Sequence, residues 1–175
     1  MTRQTVYPMR LLTLVRHAKS SWDDPTCVDF ARPLNERGRR DAPRMATHVL
    51  RALGRPDRLI SSPALRALTT AQIFAETFSI PQHAIVCEPR IYEAAPETLL
   101  GLVQWLDDAD RHVMLFGHNP GLSELAHLLA RCSFDDLPTC GVVQIGFDST
   151  RWCDIDERAG TQRFYAFPKQ LRERS

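Results

Sequence analysis

Two arginines and two histidines stand where apolar stretches of this chain give way to small or polar residues. Arg16-His17 closes the run Leu11–Val15. Ser62 and then Arg66 follow the short stretch around Leu59 and Ile60. The run His112–Phe116 leads into Gly117-His118-Asn119-Pro120-Gly121, which carries His118. Guanidinium groups offer a planar fork of donors with permanent positive charge, which suits a phosphoryl group. A neutral imidazole among them can act as a nucleophile. Neighbouring arginines disfavour protonation of His17 and keep a ring nitrogen available near neutral pH. Its other nitrogen then needs an acceptor, which the sequence does not reveal. Each feature alone also has a plain reading: a structural histidine, a solvated helix arginine, a turn.

The elements that must position these residues alternate between strand and helix. Leu11–Val15 reads as a strand buried on both faces. Asn35 is a plausible N-cap for a helix to about Leu53; Pro43 predicts either a kink or a regular part that begins there. Asp57–Ser61 reads as a strand, and Ser62-Pro63 as the opening of a helix to about Phe78. Ala84–Cys87 and His112–Phe116 are further strands, Pro96–Trp105 and a segment from Gly121 to about Arg131 further helices. Gly141–Phe147, Arg151–Asp156 and Arg163–Phe167 read as strands, with a hairpin turn near Asp148–Thr150 and looser sequence near Gly160. Residues 1–9 and 169–175 read as loose ends of one domain spanning 1–175. This alternation predicts an α/β protein with a mainly parallel sheet covered on both faces, and ligands bind beyond the carboxyl ends of such strands.

Composition narrows the classes. The chain has 175 residues, 43% hydrophobic and 25% charged, enough for one core without staples. Its 22 basic and 21 acidic residues give a net charge of +1, which argues against a nucleic-acid or membrane-surface binder. The five cysteines are odd in number and widely spaced, as reduced thiols of a cytoplasmic protein would be. No signal peptide or spanning stretch is read. His48, His83, His112 and His127 show no ligand spacing, and a metal between His17 and His118 would be opposed by the arginines. The run Arg37–Arg44, broken by Asp41, reads as a solvated helix face. Trp22, Trp105 and Trp152 read as core or rim.

The segment Leu14–Trp22, LVRHAKSSW, resembles the R-H-G/A signature of the histidine phosphatase superfamily. Ser61–Ala71, SSPALRALTTA, is similar to its S-x-x-x-R-x-x-x-T-A motif, and GHNPG at Gly117–Gly121 to its third. RPLNERGRRDA at Arg32–Ala42 is similar to the short branch that includes the phosphohistidine phosphatase SixA. The likeness covers roughly the first 130 residues, with the motifs in order. It implies a phosphoglycerate mutase-like three-layer α/β/α sandwich and a site without metal or organic cofactor. His17 would be the phosphorylated nucleophile, Arg16 and Arg66 the clamp on the phosphoryl oxygens, and His118 a hydrogen-bond partner of the same group. Glu93, after a predicted strand, would be either the proton donor or an ordinary exposed glutamate. Asp23 stands where mutase-like relatives often carry Asn, and would repel phosphate unless turned away. Ser20 and Ser21 are alternative phosphate ligands or loop caps.

The expected function is therefore a phosphatase working through phosphorylated His17 on protein phosphohistidine. Phosphatase action on small metabolite or nucleotide esters is the alternative, and a non-catalytic phosphoprotein-binding module a further one. Nothing in the sequence sets the oligomeric state.

Overall fold

The structure, a computed structural model, describes residues 9–172. Most of the expected lead-in, residues 1–8, and the last three residues lie outside the described part. Six strands form one sheet: β1 (Arg10–Arg16), β2 (Arg58–Ser61), β3 (Ile85–Cys87), β4 (His112–Gly117), β5 (Val142–Phe147) and β6 (Gly160–Ala166). Their spatial order is β3-β2-β4-β1-β5-β6. β3, β2, β4 and β1 pair in parallel, while β5 pairs antiparallel with both β1 and β6. The sheet is thus mixed, with β5 alone reversed.

The helices cover both faces. On one side α3 (Pro96–Gln104) and α4 (Gly121–Leu129) pack together; on the other, α1 (Glu36–Leu53) meets α2 (Leu65–Thr77) and α5 (Pro168–Arg172). The two-sided burial follows from strand periodicity. In β4, Val113 and Leu115 join one core cluster, Met114 and Phe116 the other. Every residue of β4 and β5 is buried. This is why these strands read as unbroken apolar runs rather than alternating ones. No described helix is long and apolar enough to cross a membrane.

Several segments differ from their sequence reading. α1 runs unbroken through Pro43, which lies on its exposed side. Asn35 caps it as expected, accepting from the Gly38 amide. α2 begins at Leu65, after Pro63 rather than with it. There Ser62 extends the strand end instead, its amide bonded to the Phe116 carbonyl and its hydroxyl to the Ala64 amide. Arg151–Asp156 is not a strand but holds a 3-10 turn at Trp152–Asp154. The fully buried Trp152 anchors it: its indole N–H donates to the Asp110 carbonyl and its amide to the Asp108 carboxylate. β5 and β6 are consequently joined by a long connection, and Gly160 opens β6 rather than loosening it. Residues 169–172, read as loose, belong to α5, where Leu171 packs against the core.

Candidate active site

Register brings the chemistry together. β2, β4 and β1 are parallel neighbours, with Ser61 level with Phe116 and Arg16 level with Gly117. One residue further, His17 comes level with His118, while Ser62, level with Gly117, reaches the His118 ring with its hydroxyl. The Ser62 amide donates to Phe116 and the His17 amide to Gly117, which carries the ladder to the site itself. Behind these ends lies an open cavity of about 470 Å³. Its lining includes all five residues expected from the sequence: Arg16, His17, Arg66, His118 and Glu93. The N-terminus of α4, at Pro120 and Gly121, forms part of the wall and adds its dipole to the positive side chains.

Two close approaches hold the walls. A Cβ on Gly38 would lie 2.2 Å from the Lys19 carbonyl oxygen, so glycine lets the loop after His17 press against the first turn of α1. A Cβ on Gly121 would lie 2.3 Å from the Ala94 carbonyl oxygen. That contact seats the Glu93-Ala94 turn on α4. Glu93 has a φ of 52°, a left-handed conformation uncommon for a side chain other than Gly, Asn or Asp.

His17 is 8% exposed. Its Nδ1 lies 2.8 Å from the Ala18 carbonyl oxygen, the acceptor the sequence did not reveal. A carbonyl only accepts, so the proton resides on Nδ1 and Nε2 carries a lone pair. Arg66 Nε donates to that lone pair at 3.2 Å. Burial, above all, lowers the His17 pKa to about 3, with repulsion from His118, Arg66 and Arg16 adding to it and the Ala18 bond opposing it. Desolvation is thus the leading cause of its neutrality, and the arginines the lesser one. The Ala18 amide donates to Thr70 Oγ1, which donates to the Arg66 carbonyl, tying this loop to α2.

His118 stands with its ring centroid 5.2 Å from that of His17. Its Nε2 is 2.8 Å from Ser62 Oγ, and its Nδ1 is buried without a partner. Burial first, then Arg66, lowers its pKa to about 4. Arg16 is anchored by Nη1 on the Leu137 carbonyl, while its Nε is buried and unpartnered. With Asn119 Oδ1, these are the unpaired buried side-chain polar atoms among the described residues, and all three belong to residues lining this cavity. Buried polar atoms without partners are costly and ask for an explanation. Two nitrogen atoms in a pocket of arginines fit a tetrahedral oxyanion.

Other residues sort themselves by geometry. Ser21 donates to the Asp23 carboxylate in an exposed local turn outside this cavity. Ser20 lines the cavity, with its hydroxyl bonded to Arg32 Nη1. The sequence reading missed Lys19, Asp29 and Arg32, which also line it. Arg32 is 7% exposed and stacks 3.6 Å from the centre of the Trp22 ring, so Trp22 is a rim residue. Trp105 is exposed and Trp152 is core. Arg32 sits in the RPLNERGRRDA segment and so had a signal; Asp29 had none. Among the described residues, no three His, Cys, Asp or Glu side chains come together as metal ligands would. His112 lies elsewhere, buried against Thr13 and Gln144. All five cysteines are free, and Arg37, Arg39, Arg40 and Arg44 form an exposed helix face.

Comparison with known proteins identifies the family and the fold. Residues 12–133 match the histidine phosphatase superfamily (branch 1). An uncharacterized protein of Mycobacterium tuberculosis is 34% identical over 153 residues, which cover 81% of this chain and 92% of the relative. Among solved structures, a candidate phosphohistidine phosphatase SixA from Agrobacterium tumefaciens superposes with a TM-score of 0.76 and 28% identity, covering 91% of this chain and 98% of its own. The protein histidine phosphatase SixA complexed with tungstate gives a TM-score of 0.77 at 19% identity, covering 92% of this chain and 99% of its own, a likeness of fold.

Proposed function

Since the chain belongs to the histidine phosphatase superfamily, we propose that it is a phosphatase that passes the phosphoryl group of its substrate to His17 and then to water, with protein phosphohistidine as the substrate. The observation that carries this reading is the neutral His17 imidazole, its Nδ1 held by the Ala18 carbonyl and its Nε2 beside Arg66, in a cavity where Arg16 Nε and His118 Nδ1 are buried without partners. A binding module would have no need of an imidazole kept unprotonated in this way.

In the first step a phosphoryl oxygen takes over the Arg66 Nε donor, the freed Nε2 lone pair attacks phosphorus, and the bond from phosphorus to the leaving nitrogen breaks. Arg16, Arg66 and His118 stabilise the charge gathering on the phosphoryl oxygens. The leaving imidazole takes a proton, for which Glu93 is the donor in this scheme. Glu93 lines the cavity, while Asp29 is ionised. In the second step water attacks the phosphorus on His17, Glu93 receives the water proton, and inorganic phosphate leaves with Nε2 restored. An imidazole leaves more readily than an alkoxide, so phosphohistidine makes the smaller demand on the acid. The open cavity and the likeness to SixA also favour a phosphorylated protein side chain. Free cysteines throughout suit a cytoplasmic location.

The test is phosphate release from a phosphohistidine peptide and from p-nitrophenyl phosphate, without added metal, by wild type and His17→Ala. Wild type should turn over the peptide preferentially and trap an acid-labile phosphoryl group; the variant should release nothing. Preference for the ester would assign the site to small metabolites or nucleotides. Equal activity in the variant would remove His17 from the mechanism.

A further inference from the structure

The turn Asp29–Ala31 stands over the site, and its first residue touches more of the positive cluster than any residue expected from the sequence. Asp29 Oδ1 accepts from Arg32 Nε at 2.9 Å and Arg32 Nη2 at 2.8 Å. Its Oδ2 accepts from Arg66 Nη2 at 2.9 Å and the Tyr92 hydroxyl at 2.8 Å. Its backbone carbonyl accepts from Arg66 Nη1 at 2.6 Å. A carboxylate offers about four lone-pair positions, and all are taken here.

We propose that Asp29 is a positioning residue of this active site, which grips Arg66 by its far edge and so presents the Nε edge to His17. The inference rests on the phosphatase reading for its purpose but on the hydrogen bonds alone for its geometry. Arg66 has one rigid plane. With Nη1 and Nη2 fixed by Asp29, the direction of Nε is fixed as well, and Nε is the atom that reaches His17 Nε2. The same carboxylate locks Arg32, whose Nη1 holds Ser20, and so links the loop after His17 to the clamp. Tyr92 completes the set, its hydroxyl on Asp29 and its ring edge-on to His118 at 5.5 Å. Saturation also excludes Asp29 from proton transfer: burial would raise its pKa, yet the bonds from Tyr92, Arg32 and Arg66 outweigh this and hold it at about 2.

This role separates ground-state binding from turnover. Removing the Asp29 side chain leaves three arginines with less opposing charge, so a phosphate dianion is still attracted, while the clamp keeps only the backbone carbonyl on Nη1 and is free to pivot about it. For Asp29→Ala, kcat should fall by about 10²-fold, the scale of a misplaced catalytic contact, with affinity for inorganic phosphate undiminished. Sodium formate should restore part of kcat in Asp29→Ala by occupying the carboxylate position, while only inhibiting wild type. Asp29→Glu should lie between the two. A crystal structure of Asp29→Ala supplies a reading independent of activity: Arg66 Nε should leave hydrogen-bonding distance of His17 Nε2. If that bond persists in the variant, or if kcat is unchanged, Asp29 does not position the clamp. An inactive wild type would overturn the proposed function, and the crystallographic result would still decide this one.

Discussion

Glu93 and Asp29 show how position divides two carboxylates at one cavity. Asp29 is saturated by Arg32, Arg66 and Tyr92 and stays ionised, whereas Glu93 sits exposed on the wall beside α4. If Glu93 protonates the leaving group, Glu93→Gln should slow esters in proportion to how poor their leaving group is. General acid catalysis is worth about 10²–10⁴-fold, so phenyl phosphate should lose most and p-nitrophenyl phosphate least. A plot of log kcat/KM against leaving-group pKa should steepen in the variant. Parallel lines for wild type and Glu93→Gln would return Glu93 to an ordinary surface residue. Its place after a predicted strand and the resemblance to mutase-like relatives marked this residue in the sequence; its left-handed backbone and the close approach of its turn to Gly121 emerge only in the fold.

Among elements, the link between α2 and the loop after β1 has the clearest consequence. Thr70 Oγ1 accepts from the Ala18 amide at 3.0 Å and donates to the Arg66 carbonyl at 2.7 Å. Thr70 is fully buried. Thr70→Val keeps the shape but leaves the Ala18 amide without a partner, at a cost of about 1–3 kcal/mol. The urea midpoint should fall accordingly, and kcat should fall with it because Ala18 also supplies the carbonyl that orients His17. A variant as stable as wild type would show that this bond is dispensable. Helix α2 itself was visible in the sequence from its periodicity, but its start was misplaced. Ser62 resembled a helix opener because a residue type alone does not say whether its amide continues a strand, and here it bonds to Phe116.

At the scale of the molecule, two buried neutral histidines bind folding to pH. His17 and His118 titrate at about 3 and about 4 in the folded protein, against about 6.5 in an unfolded chain. As pH falls below about 6.5 the unfolded chain takes up protons that the folded one refuses, so stability is lost toward acid. The slope approaches about 1.4 kcal/mol per pH unit for each histidine. Asp29, at about 2 in the folded protein, adds to this loss only below about pH 5, where the unfolded carboxylate begins to take up protons and the folded one does not. Denaturant midpoints should therefore drop steadily from pH 7 to 4.5, and less steeply in a His17→Asn, His118→Asn variant. Some slope should survive, because burial also lowers the pKa of His112. Equal slopes would mean that the two site histidines are not the groups refusing protons.

The sequence by itself determined the alternation of strands and helices except at Arg151–Asp156, the burial of β1 on both faces, and the grouping of Arg16, His17, Arg66 and His118 as one chemical set. Those are properties of local pattern: apolar runs, helix periodicity, and arginines and histidines placed at run ends. Which strands are neighbours, and at what register, was decided only in three dimensions. β4 enters between β2 and β1, and that insertion sets Ser62, His118 and His17 side by side. The reversal of β5, the anchoring of Trp152 and the grip of Asp29 on Arg66 belong to the same class. Each depends on partners far apart along the chain, Asp29 with Arg66 and Tyr92, Trp152 with Asp110, and no local pattern records which distant group will meet a given donor.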